Sequence, residues 1–111
     1  MSNDKLLSFL GLCRRAKKCV IGADVTVESL QSGKAFLVLY AQDASDNSLR
    51  RVRRVAAEHG VEMLGTHRSK EALSVALGRL CGVLAVEDRG FAGKLRTMIT
   101  NEQGGEFYDE I

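Results

Sequence analysis

Two uninterrupted apolar runs constrain the fold of this chain more than any other feature of its sequence. One covers residues 35–41 and reads AFLVLYA, and the other covers residues 83–86 and reads VLAV. A strand with one solvated face alternates apolar and polar residues, so a continuous apolar run predicts a strand that is covered on both faces. Two such strands predict one sheet with helices on both of its sides.

Amphipathic helical patterns lie before, between and after these runs. In the first of them, apolar residues recur at helical spacing from Leu6 to Ala16. Shorter strands are predicted at residues 19–21 and 61–64. The side chains that can cap the later helices are Asp24, Ser45 or Asp46, Ser69, and Glu87 or Asp88.

The resulting order of elements is α-β-α-β-α-β-α-β-α. Alternating helices and strands with buried strands predict an α/β protein, a three-layer α-β-α sandwich with a small four-stranded mixed sheet. Three of the aromatic side chains, Phe9, Phe36 and Phe91, are expected in its core.

Length and composition predict one domain with a short tail. A chain of 111 residues with 45% hydrophobic residues has the size and the material for a single core. Gly104 and Gly105 mark the one shift in composition, and we expect this glycine pair to interrupt the last helix. The prediction is therefore a domain over residues 1–101 and an acidic C-terminal tail over residues 102–111, mobile or loosely docked.

The cysteine count and the hydropathy pattern predict a cytoplasmic protein. Three cysteines are an odd number, which argues against a disulfide framework and for a reducing compartment. The chain has no apolar run of about 18 residues, so no membrane span is predicted. Its polar start lacks the pattern of a signal peptide. We expect a monomer.

Neither a metal site nor a catalytic site is predicted. The possible ligands do not show the spacing of zinc ligands; they are Cys13, Cys19, Cys81, His59 and His67. A cysteine and a histidine can form a catalytic dyad, but no flanking motif supports one here. The chain also lacks the glycine-rich phosphate loops and the nucleophile motif of hydrolases, so we expect no cofactor and no enzymatic activity.

The distribution of charge points to an anionic partner. Residues 1–101 carry all 16 lysines and arginines but only ten of the 14 acids, a net charge of +6 for this part of the chain. A basic body of this kind favours nucleic acid as the partner. Aromatic residues make up only 5% of the chain, so stacking of single-stranded bases is not expected and recognition of a folded RNA by shape is the better hypothesis.

Two basic clusters interrupt the helical patterns. The first, Arg14, Arg15, Lys17 and Lys18, precedes a turn at Gly22 and the positive end of the second helix, where phosphates can bind. The second cluster lies on the third helix and consists of Arg50, Arg51, Arg53 and Arg54. It is interpreted as a solvated helix face that lies away from the Gly22 turn.

The order and spacing of these elements resemble a known superfamily, the kink-turn-binding ribosomal proteins named for the archaeal large-subunit protein L7Ae, and within it the small bacterial YlxQ-type proteins. Two segments carry the resemblance: residues 11–52, GLCRRAKKCVIGADVTVESLQSGKAFLVLYAQDASDNSLRRV, and residues 71–95, EALSVALGRLCGVLAVEDRGFAGKL. The resemblance implies an α-β-α sandwich and binding of structured, kink-turn-like RNA, in the ribosome or another ribonucleoprotein.

In this superfamily the RNA is held between a Gly-x-Asn-Glu-x-x-Lys element and a second loop before the last strand. Gly22 matches the family's glycine, and Asp24, Val25 and Glu28 stand at the positions of the Asn, the Glu and the Lys. These replacements lose an amide donor, lose a polar group and reverse a charge. The resemblance and the basic residues together predict these RNA contacts: Arg14, Arg15, Lys17, Lys18, Gly22, Ala23, Asp24, Val25, Glu28, Lys34, Arg79, Leu80 and Cys81.

Two hypotheses therefore stay open. One is a non-catalytic RNA-binding protein. The other is a protein-interaction adaptor that kept the fold and lost RNA binding, which the replacements at positions 24, 25 and 28 favour. A concentration of positive charge around Gly22 would distinguish the first from the second.

Overall fold

The predicted alternation of helices and strands is confirmed. A computed structural model describes the backbone of residues 4–109 and the side chains of residues 4–102. In this part of the chain the elements are α1 (Lys5–Arg15), β1 (Cys19–Ile21), α2 (Ala23–Gln31), β2 (Leu37–Tyr40), α3 (Asp46–Glu58), β3 (Met63–Gly65), α4 (Lys70–Leu77), β4 (Val83–Val86) and α5 (Arg89–Asp109).

The two apolar runs form the two central strands of a mixed sheet. The strand order is β1-β4-β2-β3, and β4 runs antiparallel to both of its neighbours. The edge strand β3 runs parallel to β2. The residues of β4 are all buried, and Leu37, Val38 and Leu39 of β2 have no exposed surface. Full burial on both faces explains why neither run alternates with polar residues.

Helices cover both faces of this sheet, as the three-layer prediction requires. Leu37, Leu39 and Leu84 point to one face, where they pack against α1, α4 and α5. Val38 and Ala85 point to the other face, where they pack against α2 and α3. The sheet thus separates two hydrophobic clusters and places α2 and α3 side by side.

Most of the predicted helix starts are confirmed by a hydrogen bond. Ser45 accepts one from the backbone N–H of Ser48 at 3.2 Å, and Ser69 accepts one from that of Ala72 at 3.0 Å. Asp88 does the same for Phe91 at 2.8 Å. Each bond satisfies one of the N–H groups that a helix leaves without an internal partner.

The predicted cap of the second helix is wrong. Gly22, not Asp24, is the N-cap of α2, and Asp24 lies in the first turn. The chain leaves β1 with φ 122° and ψ 155° at Gly22, a backbone conformation that only glycine adopts readily. Because glycine has no side chain, this helix starts without a side-chain cap.

Two further differences concern the edges of the molecule. The third strand is Met63–Gly65 rather than residues 61–64. Phe36 is not in the core: it is 38% exposed at the start of β2, and the guanidinium of Arg89 lies 5.3 Å from the centre of its ring. A ring at the end of the sheet is thereby covered by a cation instead of by a helix.

The last helix extends further than predicted. Its backbone continues through Gly104 and Gly105 to Asp109, so the glycine pair does not interrupt it. Glu102 pairs with Arg68 at 2.7 Å and ties the start of the acidic segment to the body. The side chains beyond Glu102 lie outside the described residues, so the mobility of the tail and the boundary at residue 102 stay predictions. No helix in the described part of the chain is long and apolar enough to cross a membrane.

Candidate functional site

The sheet brings together the two segments that the resemblance selected. The N–H of Gly22 donates to the carbonyl oxygen of Val83 at 2.8 Å, which continues the antiparallel pairing of β1 with β4. The start of α2 therefore lies against the loop that precedes β4. We call residues 22–28 together with residues 79–82 the junction site.

The start of α2 offers unsatisfied backbone donors at this site. The first hydrogen bond inside the helix runs from the N–H of Thr26 to the carbonyl of Gly22 at 3.0 Å. The N–H groups of Ala23, Asp24 and Val25 precede it and have no acceptor within the helix, and Gly22 provides no side-chain cap for them. A helix start of this kind binds hydrogen-bond acceptors and anions.

Two exposed apolar side chains belong to the junction site. Val25 is 40% exposed on the first turn of α2, and Leu80 is 68% exposed in the loop before β4. Large apolar side chains at the surface of a small protein are common when single, but two on adjoining segments form a surface suited to an apolar or aromatic group. Leu80 is therefore not a core residue.

Cys81, one of the predicted RNA contacts, is buried. Its side chain has no exposed surface, and its thiol lies 3.5 Å from the carbonyl oxygen of Val83. Burial raises the pKa of Cys81 to about 12, so the thiol stays protonated at neutral pH. The loop presents Arg79 and Leu80 to solvent and holds Cys81 inside.

A cation that the sequence did not assign to the junction site contacts one of its residues. Arg51 of α3 pairs with Asp24 through Nη1 and Oδ1 at 2.6 Å. This overturns the expectation that the arginines of the third helix lie away from the turn. The pair is solvent-exposed, 48% for Arg51 and 87% for Asp24, so it neutralises the carboxylate without burying either group.

A second unassigned cation lies beneath the loop. A Cβ added to Gly82 would lie 3.7 Å from Cδ of Lys70, which places the side chain of Lys70 beside the α4–β4 loop. The backbone N–H of Lys70 is held by Asp43 at 2.8 Å. Nothing in the spacing of the sequence links position 70 to position 82, because the contact depends on how α4 returns across the sheet.

The lysines of the first basic cluster, and Lys34, lie away from the Gly22 turn. The carbonyl of Lys18 accepts from the N–H of Glu87 at 2.7 Å, so Lys17 and Lys18 lie at the end of β1 opposite Gly22. Lys34 follows the far end of α2, a nine-residue helix that spans about 13 Å. These three lysines do not converge on the Gly22 turn.

The arginines of the first cluster lie closer to α4. The guanidinium of Arg14 packs over Gly78, which is the C-cap of α4 and the residue that precedes Arg79. A Cβ built on Gly78 would lie only 2.9 Å from Nη2 of Arg14. Arg15 lies over Gly11, in the groove between α1 and α4. Glu28 is exposed one turn beyond Asp24 on α2, where it places a negative charge within the junction site.

Two cysteines form a hydrogen-bonded pair outside the junction site. The bond between Cys13 and Cys19, together with burial, raises the pKa of Cys13. The same bond and the nearby Arg14 lower the pKa of Cys19. Among the residues that the structure describes, no three His, Cys, Asp or Glu side chains are placed to hold a metal ion together.

Comparison with known proteins identifies the family. The model of the ribosomal protein L7Ae/L30e/S12e/Gadd45 family matches residues 4–96. The chain belongs to this family. The L7Ae-family match covers both segments of the junction site and all four strands.

Two sequence relatives agree with this assignment. The chain is 35% identical over 104 residues to the RNA-binding protein YlxQ of Bacillus subtilis, covering 89% of this chain and 99% of the relative. It is 28% identical over 98 residues to the protein of the same name from Enterococcus faecium, covering 88% and 94%.

Two solved structures share the fold. A protein of unknown function from Bacillus halodurans superposes with a TM-score of 0.81 at 28% identity, covering 86% of this chain and 96% of the other. The 15.5kD RNA binding protein of Giardia lamblia superposes with a TM-score of 0.70 at 21% identity, covering 92% and 90%. The L7Ae-family fold is thus shared over nearly the whole chain.

Proposed function

We propose that this chain is a non-catalytic RNA-binding protein that recognises a kink-turn or a similarly bent element of a structured RNA. Two relatives are named as RNA-binding proteins, and the chain shares their family and most of their length. We place it in the cytoplasm, as a component of the ribosome or of another ribonucleoprotein.

The observation that carries this proposal is the hydrogen bond from Gly22 to Val83. It joins the start of α2 to the loop before β4. The bond uses the N–H of Gly22 inside the sheet and leaves the next three N–H groups open to a ligand. Donors and apolar side chains then lie on adjoining segments, as recognition of an unstacked, polar base requires.

Each group of the junction site has a role in this proposal. The open N–H groups of α2 donate to base or phosphate oxygens. Val25 and Leu80 pack against the face or edge of a base that the bend has taken out of its stack. The cations that lie nearest to the phosphates are Arg14, Arg51, Lys70 and Arg79.

Binding to a matched pair of RNAs tests the proposal. One RNA carries a kink-turn with its tandem sheared G·A pairs, and the other has Watson–Crick pairs in their place. We expect tighter binding of the kink-turn RNA, measured by gel shift or fluorescence anisotropy at two salt concentrations. Equal binding of both RNAs would reduce the interaction to non-specific attraction of phosphates.

Two charge insertions locate the interface. Leu80→Asp puts a carboxylate into the junction site and should weaken kink-turn binding at least tenfold. Val75→Asp makes the same change at a residue that is 79% exposed on α4, outside the junction site, and should have little effect. Equal losses in the two variants would place the RNA elsewhere on the molecule.

The second candidate function is a protein-interaction adaptor built on the same fold. Its support is specific: Asp24 is exposed and paired with Arg51, Val25 carries no polar group, and Glu28 is an exposed acid. An adaptor predicts no measurable binding of kink-turn RNA even at low salt.

A further inference from the structure

The third helix carries four arginines within five residues. They occupy positions 50, 51, 53 and 54 of the 13-residue α3 and are all exposed. Val52 and Val55 alternate with them and face the core. Arg51 reaches Asp24, whereas the other three line a shallow depression together with Asp46, Leu49 and Ala57. We call Arg50, Arg53 and Arg54 the arginine face.

No acid of the described chain neutralises the arginine face through an ion pair. Arg50 donates to the side-chain oxygen of Asn47, a neutral group, at 3.2 Å. Arg53 lies 5.6 Å from the centre of the Tyr40 ring. Arg50 and Arg54 repel each other at positions i and i+4 of the helix, and Asp46 and Glu58, four residues before Arg50 and four residues after Arg54, offset part of this repulsion. A polyanionic ligand would neutralise the arginines that these two acids leave uncompensated.

The surroundings of this face favour nucleic acid over a lipid surface. Helices that bind membranes insert large apolar side chains between the lipids. In the described part of the chain the exposed large apolar residues all lie outside α3. Arginine also binds phosphate through two parallel hydrogen bonds, a geometry suited to a nucleic-acid backbone.

The position of α3 connects this face to the junction site. Arg51 is the neighbour of Arg50 in sequence and contacts Asp24 of α2 at 2.6 Å. Arg51 therefore connects the start of α2 with the arginine-bearing side of α3, and its own charge is paired with that of Asp24. Arg50 and Arg54 are separated by about 6 Å along the helix axis.

We propose that the arginine face binds the phosphate backbone of a duplex stem that adjoins the RNA element held at the junction site. This inference rests on the proposed function and adds to it a second contact surface. The face provides affinity and orients the stem, while the junction site recognises the bend.

The test compares two double variants that each remove two positive charges. Arg50→Gln/Arg54→Gln alters the arginine face and keeps Arg51 and the Arg53–Tyr40 contact. Lys5→Gln/Lys94→Gln removes two exposed lysines of α1 and α5, which cover the other side of the sheet. Both variants and the wild type are measured against a kink-turn RNA with two long stems and against RNAs in which each stem is trimmed in turn.

The expected result is a loss specific to the face and to one stem. Arg50→Gln/Arg54→Gln should bind the long-stemmed RNA at least tenfold more weakly than the lysine control. Its slope of log affinity against log salt should be smaller by about 2, because each substitution removes one arginine–phosphate pair. Trimming the contacted stem should weaken the wild type and remove the difference between wild type and variant.

Three results would overturn the inference, and the third is distinguishable from the first two. If the wild type prefers kink-turn RNA but the two double variants bind equally well, the face does not contact RNA and the junction site stands alone. The same conclusion follows if trimming neither stem reduces the effect of the arginine substitutions. If the wild type binds no kink-turn RNA, the proposed function fails and the inference fails with it. Circular dichroism melting curves establish that each variant is folded.

Discussion

Asp24→Asn should destabilise the protein slightly and tighten its binding to RNA. Asp24 places a negative charge on the first turn of α2, where the open N–H groups lie. Its carboxylate also forms an ion pair with the guanidinium of Arg51 at 2.6 Å. The substitution removes the charge, adds an amide donor and leaves Arg51 free to bind a phosphate. Stability and affinity should therefore change in opposite directions.

The magnitudes follow from exposure. The pair is 48% and 87% exposed, so its loss costs about 0.5 kcal/mol or less of unfolding free energy. Loss of the carboxylate at the positive end of the helix costs about 0.3–1 kcal/mol more. A total near 1 kcal/mol lowers the melting temperature by about 4–8 °C. A new charge-assisted hydrogen bond from Arg51 to a phosphate, in a partly exposed site, contributes about 1 kcal/mol, which is about a fivefold increase in affinity.

The assay is fluorescence anisotropy with a labelled kink-turn RNA, alongside thermal unfolding. Glu62→Gln is the matched control, because Glu62 forms an exposed pair with Arg96 at 2.5 Å on the β3 side of the sheet, remote from β1. It should leave RNA affinity within about twofold. Adding Arg51→Gln to Asp24→Asn should cancel the increase in affinity. The reasoning is refuted if Asp24→Asn binds RNA no tighter than Glu62→Gln does.

Three predictions concern stability and reactivity. Arg68→Met should lower the unfolding free energy by about 2–4 kcal/mol, because Arg68 is 18% exposed and bonds the carboxylates of Asp4 and Glu102. The hydrogen bond from Arg68 holds the pKa of Asp4 below its ordinary 3.8. The stabilisation by the Arg68–Asp4 pair is therefore fully present above pH 3.8 and is lost as the pH falls through the native pKa of Asp4. Melting curves against pH should show the melting temperatures of variant and wild type converging in acid. Thr26→Val should stabilise the protein by about 1 kcal/mol in urea titrations, because the buried hydroxyl has no hydrogen-bond partner among the described residues. Cys19 should be alkylated before the buried thiols of Cys13 and Cys81 at neutral pH, because the pKa of Cys19 is lowered and its side chain is partly exposed. Peptide mass mapping measures the order of modification, and a buried thiol that is modified first would contradict this prediction.

The central strands could be predicted because strands that are buried on both faces have apolar residues at nearly every position. The residues of β2 and β4 are apolar at almost every position, since both faces are covered. The edge strand β3 has a weaker signal, and it begins two residues later than its apolar pattern predicts. The predicted cap at Asp24 is wrong because capping depends on the backbone angles of the preceding turn, and Gly22 determines those.

The sequence predicted the two segments of the candidate site, but it did not predict which side chains from other elements lie beside them. Gly22 and Leu80 were identified by resemblance, whereas Arg51 and Lys70 reach the site through the packing of α3 and α4, which no local pattern records. Cys81 illustrates the converse. Its neighbour Leu80 is exposed and Cys81 is buried, and a loop has no periodicity from which to infer which side chain points inward.

Under the proposed function, the geometry of Gly22 gives a reason why the site would tolerate substitution of its side chains. The glycine uses its own N–H in the sheet and leaves the N–H groups of the next three residues open, so the principal donors of the junction site belong to the backbone. Replacements at positions 24, 25 and 28 change the charge and the apolar surface around these donors but do not remove them. Cations from α3 and α4 then compensate for the acids on α2, which is why RNA binding is expected to depend on residues outside the segment that identifies the family.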